Sequence, residues 1–130
     1  MTETKQLIQA ALNARRNAYA PYSNFTVGAA VETEDGKIYS GSNVENASHG
    51  LTICAERNAL ATAIANGERK FTQLVVHSQG AVMPCGACRQ VIWELCGDIP
   101  IVLVDDDGHM ATSSSSRLLP TPFGPGDLST

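Results

Sequence analysis

Three cysteines in two short segments restrict the folding of this chain more than any other feature. Cys54 opens the segment Cys54–Arg57, and Cys85 and Cys88 follow Pro84 in a second segment. In each segment a loop pattern gives way to a helical one. The start of a helix carries unpaired N–H groups and a positive dipole end, which lower the pKa of a thiol placed there. A fold that brings these two helix starts together gathers three thiolates at one point.

The rest of the chain alternates strand and helix patterns, which predicts an α/β fold with a mixed sheet of about five strands. Strand–helix–strand order in the second half indicates parallel pairing through a right-handed crossover. The dipeptide Asp35-Gly36 indicates an antiparallel hairpin. The predicted helices cover residues 4–18, 54–65, 86–95 and a turn at 116–119, and the predicted strands cover 25–33, 37–44, 71–77, 99–104 and a short segment after 108.

Length and composition exclude several classes of protein. The chain has 130 residues, of which 43% are hydrophobic and 17% charged, so we expect one globular domain spanning 1–130. The apolar runs are too short to span a bilayer, and the polar start at 1–5 predicts no secretory signal. A net charge of -4 with scattered basic residues disfavours a nucleic-acid polymer as partner. We therefore expect a soluble cytoplasmic protein.

The four cysteines predict a metal site, redox chemistry or buried thiols, because structural disulfides are rare in a reducing compartment. Cys54, Cys85 and Cys88 match the three protein ligands of a catalytic Zn²⁺, whose fourth position is left for water. Cys96 lies further along the second helix and is interpreted as a buried small hydrophobe. The count of ligands therefore favours a catalytic zinc over a structural one.

Glu56 adds a carboxylate that a structural zinc site does not need. A hydrolytic zinc site does need a proton carrier beside the metal-bound water. Zinc deaminases combine a ligand two residues before a Glu with a later Pro-Cys-x-x-Cys, and here Cys54–Glu56 and Pro84–Cys88 match that pattern. Three thiolates leave the zinc electron-rich, so a cation should donate hydrogen bonds to them, and Arg57 is favoured over Arg89 for this role.

These motifs resemble those of the small, homotetrameric, zinc-dependent cytidine deaminases. The resemblance extends from Ala20 to Pro125, and its most specific segments are 25–30, 43–47, 54–57 and 84–90. It implies a three-layer α/β/α fold with a mixed five-stranded sheet. It also implies one zinc ion per subunit, a small nucleoside substrate, and active sites that are shared between the subunits of a homotetramer.

The resemblance also implies a role for each matched residue. Cys54, Cys85 and Cys88 match the zinc ligands, and Glu56 matches the proton shuttle. The implied substrate contacts are Phe25 against the nucleoside, Asn43 and Glu45 on the ribose and chiefly its 3′-hydroxyl, the Ala55 N–H on the base carbonyl, and Phe123 over the base of a neighbouring subunit. Periodicity alone predicts Phe25 to be a core strand residue.

The implied reaction is the hydrolytic deamination of cytidine and 2′-deoxycytidine to uridine and 2′-deoxyuridine, with release of ammonia, in pyrimidine salvage. In it a zinc-bound hydroxide attacks C4 and Glu56 moves the protons. Three alternatives stay open at this point: a related zinc aminohydrolase acting on another cytosine compound such as blasticidin S, a structural zinc module, and a Cys-x-x-Cys redox protein. Asn43 and Glu45 favour a sugar-bearing substrate, and Cys54 has no obvious role in a redox protein.

Overall fold

The computed structural model describes residues 4–128. Residues 1–3 and 129–130 of the predicted domain, and with them most of the polar start, lie outside this part of the chain. The helices are α1 (Thr4–Arg15), α2 (Ala55–Ala65), α3 (Gly86–Cys96) and α4 (Ser115–Leu118). The strands are β1 (Val27–Thr33), β2 (Ile38–Ser42), β3 (Phe71–Ser78), β4 (Pro100–Val104) and β5 (Met110–Ser114). Short 3₁₀ turns cover His49–Leu51 and Pro125–Leu128.

The strands form one mixed sheet in the order β2-β1-β3-β4-β5. β3 and β4 pair in parallel and are joined by α3, as the strand–helix–strand pattern predicts. The other three pairs are antiparallel, including the β1–β2 hairpin. The predicted mixed five-stranded sheet is therefore confirmed.

Helices cover both faces of the sheet, which confirms the predicted three-layer arrangement. On one face, α1 packs on the strands through a cluster of buried residues that includes Leu7, Ala11, Ala30, Val75 and Val102. On the other face, α2 and α3 pack through a larger cluster that includes Ala59, Leu60, Leu74, Ile92 and Leu103. Because β1 is buried on both faces, its side chains are small and apolar along most of its length.

Two glycines allow the helices to approach the sheet closely. A Cβ atom at Gly28 would lie 1.9 Å from the carbonyl oxygen of Ala11 in α1. On the opposite face, a Cβ atom at Gly41 would lie 2.5 Å from the backbone nitrogen of Ala59 in α2. Both contacts involve backbone atoms, so the hairpin is held between two helix backbones with no room for a side chain.

Asn43 explains why several predicted elements are shorter in the structure. Its amide donates to the carbonyl oxygen of Phe25 at 2.8 Å and accepts from the N–H of Val27 at 2.9 Å. These side-chain bonds take the place of ladder bonds, so β1 begins at Val27 rather than at residue 25. The backbone carbonyl of Asn43 accepts from Tyr19, whose segment leaves the helical path after Arg15.

The start of α2 and the start of α3 lie at the same end of the molecule, where Cys54 and Cys85 precede their first helical residues. Gly97 ends α3 with a φ of 67°, a backbone conformation that favours glycine. Among residues 4–128, no helix is long and apolar enough to cross a membrane.

Candidate active site

The three predicted cysteine ligands converge between the two helix starts. Cys54 and Cys85 occupy the N-cap positions of α2 and α3, and Cys88 lies in the first turn of α3. Their Sγ atoms all lie within 4.8 Å of one another, and the sulfurs of Cys54 and Cys85 are 3.8 Å apart. Cys88 is fully buried, whereas Cys85 is exposed.

This donor set fits a zinc ion. Tetrahedral coordination with Zn–S bonds of about 2.3 Å separates two sulfurs by about 3.8 Å, which is the distance between Cys54 and Cys85. Hydrogen bonding, first from Cys88 and then from Arg57, lowers the pKa of the Cys54 thiol to about 5. The Cys54 sulfur is therefore available as a thiolate, the form that binds metal.

Glu56 lies at the second position of α2, two residues beyond Cys54, and is only 4% exposed. Burial raises the pKa of its carboxyl group to about 6. A carboxyl group with a pKa near the working pH both accepts and returns a proton readily. Glu56 therefore has the chemical properties that a proton carrier beside a zinc ligand requires.

The two arginines that follow the cysteine motifs make different contacts. Arg57 donates from Nη2 to the Cys54 sulfur at 3.6 Å, and its buried Nε has no acceptor within the described residues. Arg89 instead donates to the carbonyl oxygens of Pro84 at 2.7 Å and of Leu118 at 3.1 Å. Arg57 is therefore placed where it could offset thiolate charge, whereas Arg89 attaches the loop before Cys85 to the end of α4.

A pocket of about 290 Å³ opens beside Cys54, Glu56 and Cys85. Its walls also include Ser23, Phe25, Val27, Asn43, Glu45, Thr52, Ala55, Val76, Val82 and Met83. A larger cavity of about 540 Å³ lies at the opposite ends of the strands, where Glu32, Glu34 and Asp35 make it acidic and none of the three clustered cysteines reaches it. The smaller pocket is therefore the candidate active site.

Asn43 and Glu45 stand side by side on the pocket wall after β2, and both already make bonds to the segment that carries Phe25. Asn43 bonds the backbone of Phe25 and Val27, as described above. The Glu45 carboxylate accepts from the N–H of Tyr22 at 2.9 Å, from the N–H of Ser23 at 3.2 Å and from the Ser23 hydroxyl. These bonds, the one from the Ser23 hydroxyl first, lower the pKa of Glu45, so it is ionised at neutral pH.

The other predicted substrate contacts divide into two groups. Phe25 and Ala55 line the pocket, and Ala55 is the first residue of α2, where backbone N–H groups have no acceptor within the helix. Phe123 is 54% exposed and is not among the residues that line the pocket of its own chain. Its carbonyl accepts from Gln90 Nε2 at 2.7 Å, which attaches the C-terminal segment to α3.

Sequence reasoning assigned no role to the loop before Pro84, yet Val82 and Met83 line the pocket and are 42% and 50% exposed. The preceding Ala81 has a φ of 52°, which turns the loop towards the cysteines. Such a backbone at a non-glycine residue leaves no reliable local pattern in a sequence. The only available hint was the pair of apolar residues next to the Cys85 motif.

Two further residues, Cys96 and His49, lie outside the cluster of three cysteines. Cys96 ends α3 and packs against the core, where partial burial raises the pKa of its thiol to about 12; it was predicted to be a buried small hydrophobe and is only partly buried. His49 is exposed, with its ring edge-on to that of Tyr22 at 6.0 Å between centroids. His49 thus lies next to the segment that Glu45 holds rather than at the metal.

Comparison with known proteins shows which chains this one is similar to. Residues 1–104 match the family model described as the cytidine and deoxycytidylate deaminase zinc-binding region. A protein named cytidine deaminase from Sporosarcina psychrophila is 45% identical over 130 residues, which cover 98% of this chain and 96% of that protein.

A solved structure and a more distant relative extend the comparison. The crystal structure of cytidine deaminase from Burkholderia pseudomallei superposes with a TM-score of 0.89 at 50% identity, covering 95% of this chain and all of that one. A blasticidin-S deaminase from Bacillus cereus is 31% identical over 107 residues, or 75% of this chain and 76% of that protein. Similarity is thus greater to the proteins named cytidine deaminases.

Proposed function

The chain belongs to the family of zinc-binding cytidine and deoxycytidylate deaminases, and on that premise we propose that it hydrolyses cytidine and 2′-deoxycytidine to uridine and 2′-deoxyuridine with release of ammonia. It is a zinc-dependent hydrolase. The observation that carries the proposal is the convergence of three cysteine sulfurs with the buried Glu56 at one wall of a nucleoside-sized pocket.

Cys54, Cys85 and Cys88 hold the zinc ion in this proposal. Zinc, when bound, acidifies water and so supplies a nucleophile at neutral pH. Arg57 stabilises the charge of the ligand set through its bond to the Cys54 sulfur. Burial keeps the Glu56 side chain out of bulk water, whereas Arg57 is only partly buried and has a buried atom, Nε.

Glu56 carries the protons of the reaction. Its carboxylate takes a proton from the attacking water and delivers it to N3 of the pyrimidine, where it remains in the product. A second proton passes through Glu56 from the water oxygen to the exocyclic nitrogen, which leaves C4 as ammonia. Water and cytidine thus yield uridine and ammonia, with Glu56 ionised at the beginning and at the end.

Asn43 and Glu45 hold one hydroxyl group of the sugar. An ionised carboxylate accepts about four hydrogen bonds, and three of the positions on Glu45 are used by residues 22–23. The Asn43 amide has two N–H groups, of which one bonds Phe25. Within residues 4–128, one acceptor position on Glu45 and one N–H group of Asn43 remain. This is the complement of a hydroxyl such as the ribose 3′-hydroxyl, which donates one bond and accepts another.

The base is held by groups around the start of α2. The N–H of Ala55 bonds the base carbonyl, and Phe25 packs against the nucleoside. Phe123 reaches over the base from a neighbouring subunit, so we propose a homotetramer with shared active sites. Support comes from the exposed Phe123 side chain and from the bond of its carbonyl to Gln90, which holds this part of the tail on α3.

The proposal also includes the setting of the reaction. We propose that this single-domain protein works in cytoplasmic pyrimidine salvage on free nucleosides. The net charge of -4 and the scattered basic residues support a small substrate rather than a nucleic-acid polymer, because polymer binding needs a concentrated positive surface.

The decisive experiment is ammonia release from cytidine by the parent protein and by Glu56→Gln, with zinc quantified in both. Loss of a proton carrier costs about 10²- to 10⁴-fold in turnover. We therefore expect a fall in kcat of that size with zinc content unchanged. Glu94→Gln, at an exposed residue of α3, is the matched control and should retain parent activity.

Two outcomes would contradict the proposal at different points. Full activity of Glu56→Gln would remove the assigned role of Glu56. A zinc-loaded parent that is inert to cytidine but active on blasticidin S would show that the same zinc site acts on the alternative substrate. Measuring ammonia release from both compounds therefore distinguishes a cytidine deaminase from an aminohydrolase that acts on blasticidin S.

A further inference from the structure

The hydroxyl of Ser23 connects two parts of the candidate pocket that sequence reasoning treated as independent. It donates to Oε2 of Glu45 and accepts from the N–H of Phe25 at 3.0 Å. The backbone N–H groups of Tyr22 and Ser23 bond the other oxygen, Oε1 of Glu45. One hydroxyl therefore fixes both the carboxylate that faces the sugar and the backbone of the aromatic residue beside it.

The hydrogen bonds to Glu45 are divided between its two carboxylate oxygens, and this division determines which oxygen Ser23 can orient. Oε1 accepts two backbone bonds, which use both of its lone pairs. Oε2 accepts the Ser23 hydroxyl and retains one free position. Within residues 4–128, the acceptor position left on Glu45 is therefore on the oxygen that Ser23 holds, and the Ser23 bond helps to fix the carboxylate plane and so the direction in which that position points.

We propose that Ser23 is a positioning and specificity-determining residue for sugar-bearing substrates, whose hydroxyl orients the vacant acceptor of Glu45 towards the substrate 3′-hydroxyl and holds the backbone of Phe25 in place. This inference rests on the proposed function and deepens it. Ser23 lines the pocket together with Glu45 and Phe25, so all three members of the connection face the same space.

The surrounding bonds confine the effect of Ser23 to a short turn. Asn43 holds Phe25 and Val27 independently through the carbonyl of Phe25 and the N–H of Val27. Between these anchors and Ser23 lies Asn24, whose φ of 58° marks a tight left-handed turn. Removal of the Ser23 hydroxyl should therefore loosen the turn and the Glu45 side chain without unpairing β1.

The kinetic test compares cytidine with 3′-deoxycytidine, which differs only by the missing 3′-hydroxyl. Loss of a bond to a charged group that sets its orientation should raise KM for cytidine about tenfold in Ser23→Ala. We expect kcat to stay within about twofold of the parent, and KM for 3′-deoxycytidine to rise clearly less than KM for cytidine, because only the packing of Phe25 is then affected. Ser23→Thr keeps the hydroxyl and should recover most of the affinity for cytidine.

Ser40→Ala is the matched control, because Ser40 is an exposed serine of β2 outside the pocket lining. It should leave KM for both nucleosides at the parent value. The proposal is overturned if Ser23→Ala impairs both nucleosides equally, or if it changes neither. Equal impairment would show a general structural role, and no change would show that Glu45 keeps its orientation without the hydroxyl.

A second measurement does not depend on activity. Amide hydrogen exchange at Phe25 in the zinc-loaded protein should accelerate in Ser23→Ala and stay at the parent rate in Ser40→Ala, with the thermal midpoint maintained. An unchanged exchange rate at Phe25 overturns the proposal whatever the kinetics show. If the parent does not deaminate cytidine, the proposed function fails, whereas this exchange rate still decides whether Ser23 holds the segment.

Discussion

Cys54 and Cys85 each stand one residue before a helix, with extended backbone angles, so their sulfurs project from the helix start into the space where the two helices meet. A thiol at a helix N-terminus is stabilised as thiolate by the nearby N–H groups. Metal binding between the two helix starts requires that the two N-cap cysteines and Cys88, in the first turn of α3, lie close together. Each contributes one sulfur.

Cys85→Ser tests this arrangement directly. Loss of one of three thiolates should lower zinc affinity by at least about 100-fold, because changes merely around a ligand already cost 10- to 100-fold. Competition with a chromogenic chelator measures the affinity. Cys96→Ser is the matched control, since Cys96 lies at the far end of α3 outside the cluster, and it should bind zinc as the parent does. Equal affinities for the two variants would remove Cys85 from the ligand set.

Residue types and spacings were sufficient to predict the metal cluster, because thiols three apart on one helix turn must lie on one face. Spacing could not decide between Arg57 and Arg89, since each is adjacent to a motif residue. The choice depends on where a long side chain finds acceptors, and for Arg89 these belong to Pro84 and Leu118. The contribution of Val82 and Met83 to the pocket wall could not be predicted either, because it depends on the backbone conformation of the loop.

At the scale of elements, α1 is attached to the sheet by a polar contact as well as by its apolar face. Arg15, its last residue, bonds the carboxylate of Asp106 and lies 3.2 Å from Nδ1 of His77. His77 is buried at the end of β3. Because the guanidinium only donates, Nδ1 of His77 is the acceptor, which requires the neutral imidazole.

This contact predicts a pH dependence of stability. Burial first, and then Arg15, lower the pKa of His77, so the unfolded chain takes up a proton on this residue at a higher pH than the folded chain does. The free energy of unfolding therefore decreases as pH falls from about 6.5 towards the folded pKa. In His77→Gln, urea unfolding at pH 7.5 and pH 5.5 should show a smaller difference than in the parent.

The control for that measurement is His109→Gln, which removes an exposed histidine from the same end of the sheet. It should retain the pH dependence of the parent. A His77→Gln protein whose stability depends on pH as steeply as the parent's would show that His77 does not contribute to the acid side of the stability curve.

Gly28 predicts the cost of separating α1 from the sheet. In Gly28→Ala the added methyl group meets the backbone of Ala11 and Arg15, which cannot rotate away as a side chain can. We expect the free energy of unfolding to fall by at least about 3 kcal/mol, the upper range for overpacking. Gly50→Ala, where nothing lies within 4 Å of the new Cβ, should change it by less than about 0.5 kcal/mol. Similar denaturation midpoints for the two variants would contradict the close approach.

Element types and order were predictable because hydrophobic periodicity is a local property, and β3, α3 and β4 match their predicted ranges to within one residue. The ends of β1 and β2 were not predictable in the same way. There the Asn43 side chain replaces the ladder, and Val44 instead pairs with Tyr19 and Ile53. Such partners are distant in sequence, so a local pattern cannot contain them.

At the scale of the whole molecule, the active site of our proposal includes one residue that comes from another chain. Phe123 of the same chain does not line the pocket, and the tail that carries this residue is fixed to α3 by Gln90. In our proposal, a complete site therefore requires a second subunit.

Mixed oligomers of Glu56→Gln and Phe123→Ala test the sharing of sites. Base stacking on an aromatic ring contributes about 1–3 kcal/mol, so Phe123→Ala alone should raise KM about tenfold or more. In a mixed oligomer, a site with Glu56 from one variant and Phe123 from the other is intact. At low cytidine concentration, the co-refolded mixture should therefore exceed the mean activity of the two variants.

The matched control is a mixture of Phe123→Ala with a chain that carries both substitutions, which supplies no Phe123 and should show no gain. If the mixture of single variants gives only the mean of its components, each active site is built from one chain. The oligomeric state itself can be followed in the same samples by sedimentation.

The tight seating of the β1–β2 hairpin between α1 and α2 also bears on how this sequence can change over generations. Gly28 and Gly41 face opposite helices, and each lacks space for even one methyl group. In sequences that descend from this chain, surface positions should therefore vary widely, whereas glycine should be retained at both of these positions in the sheet.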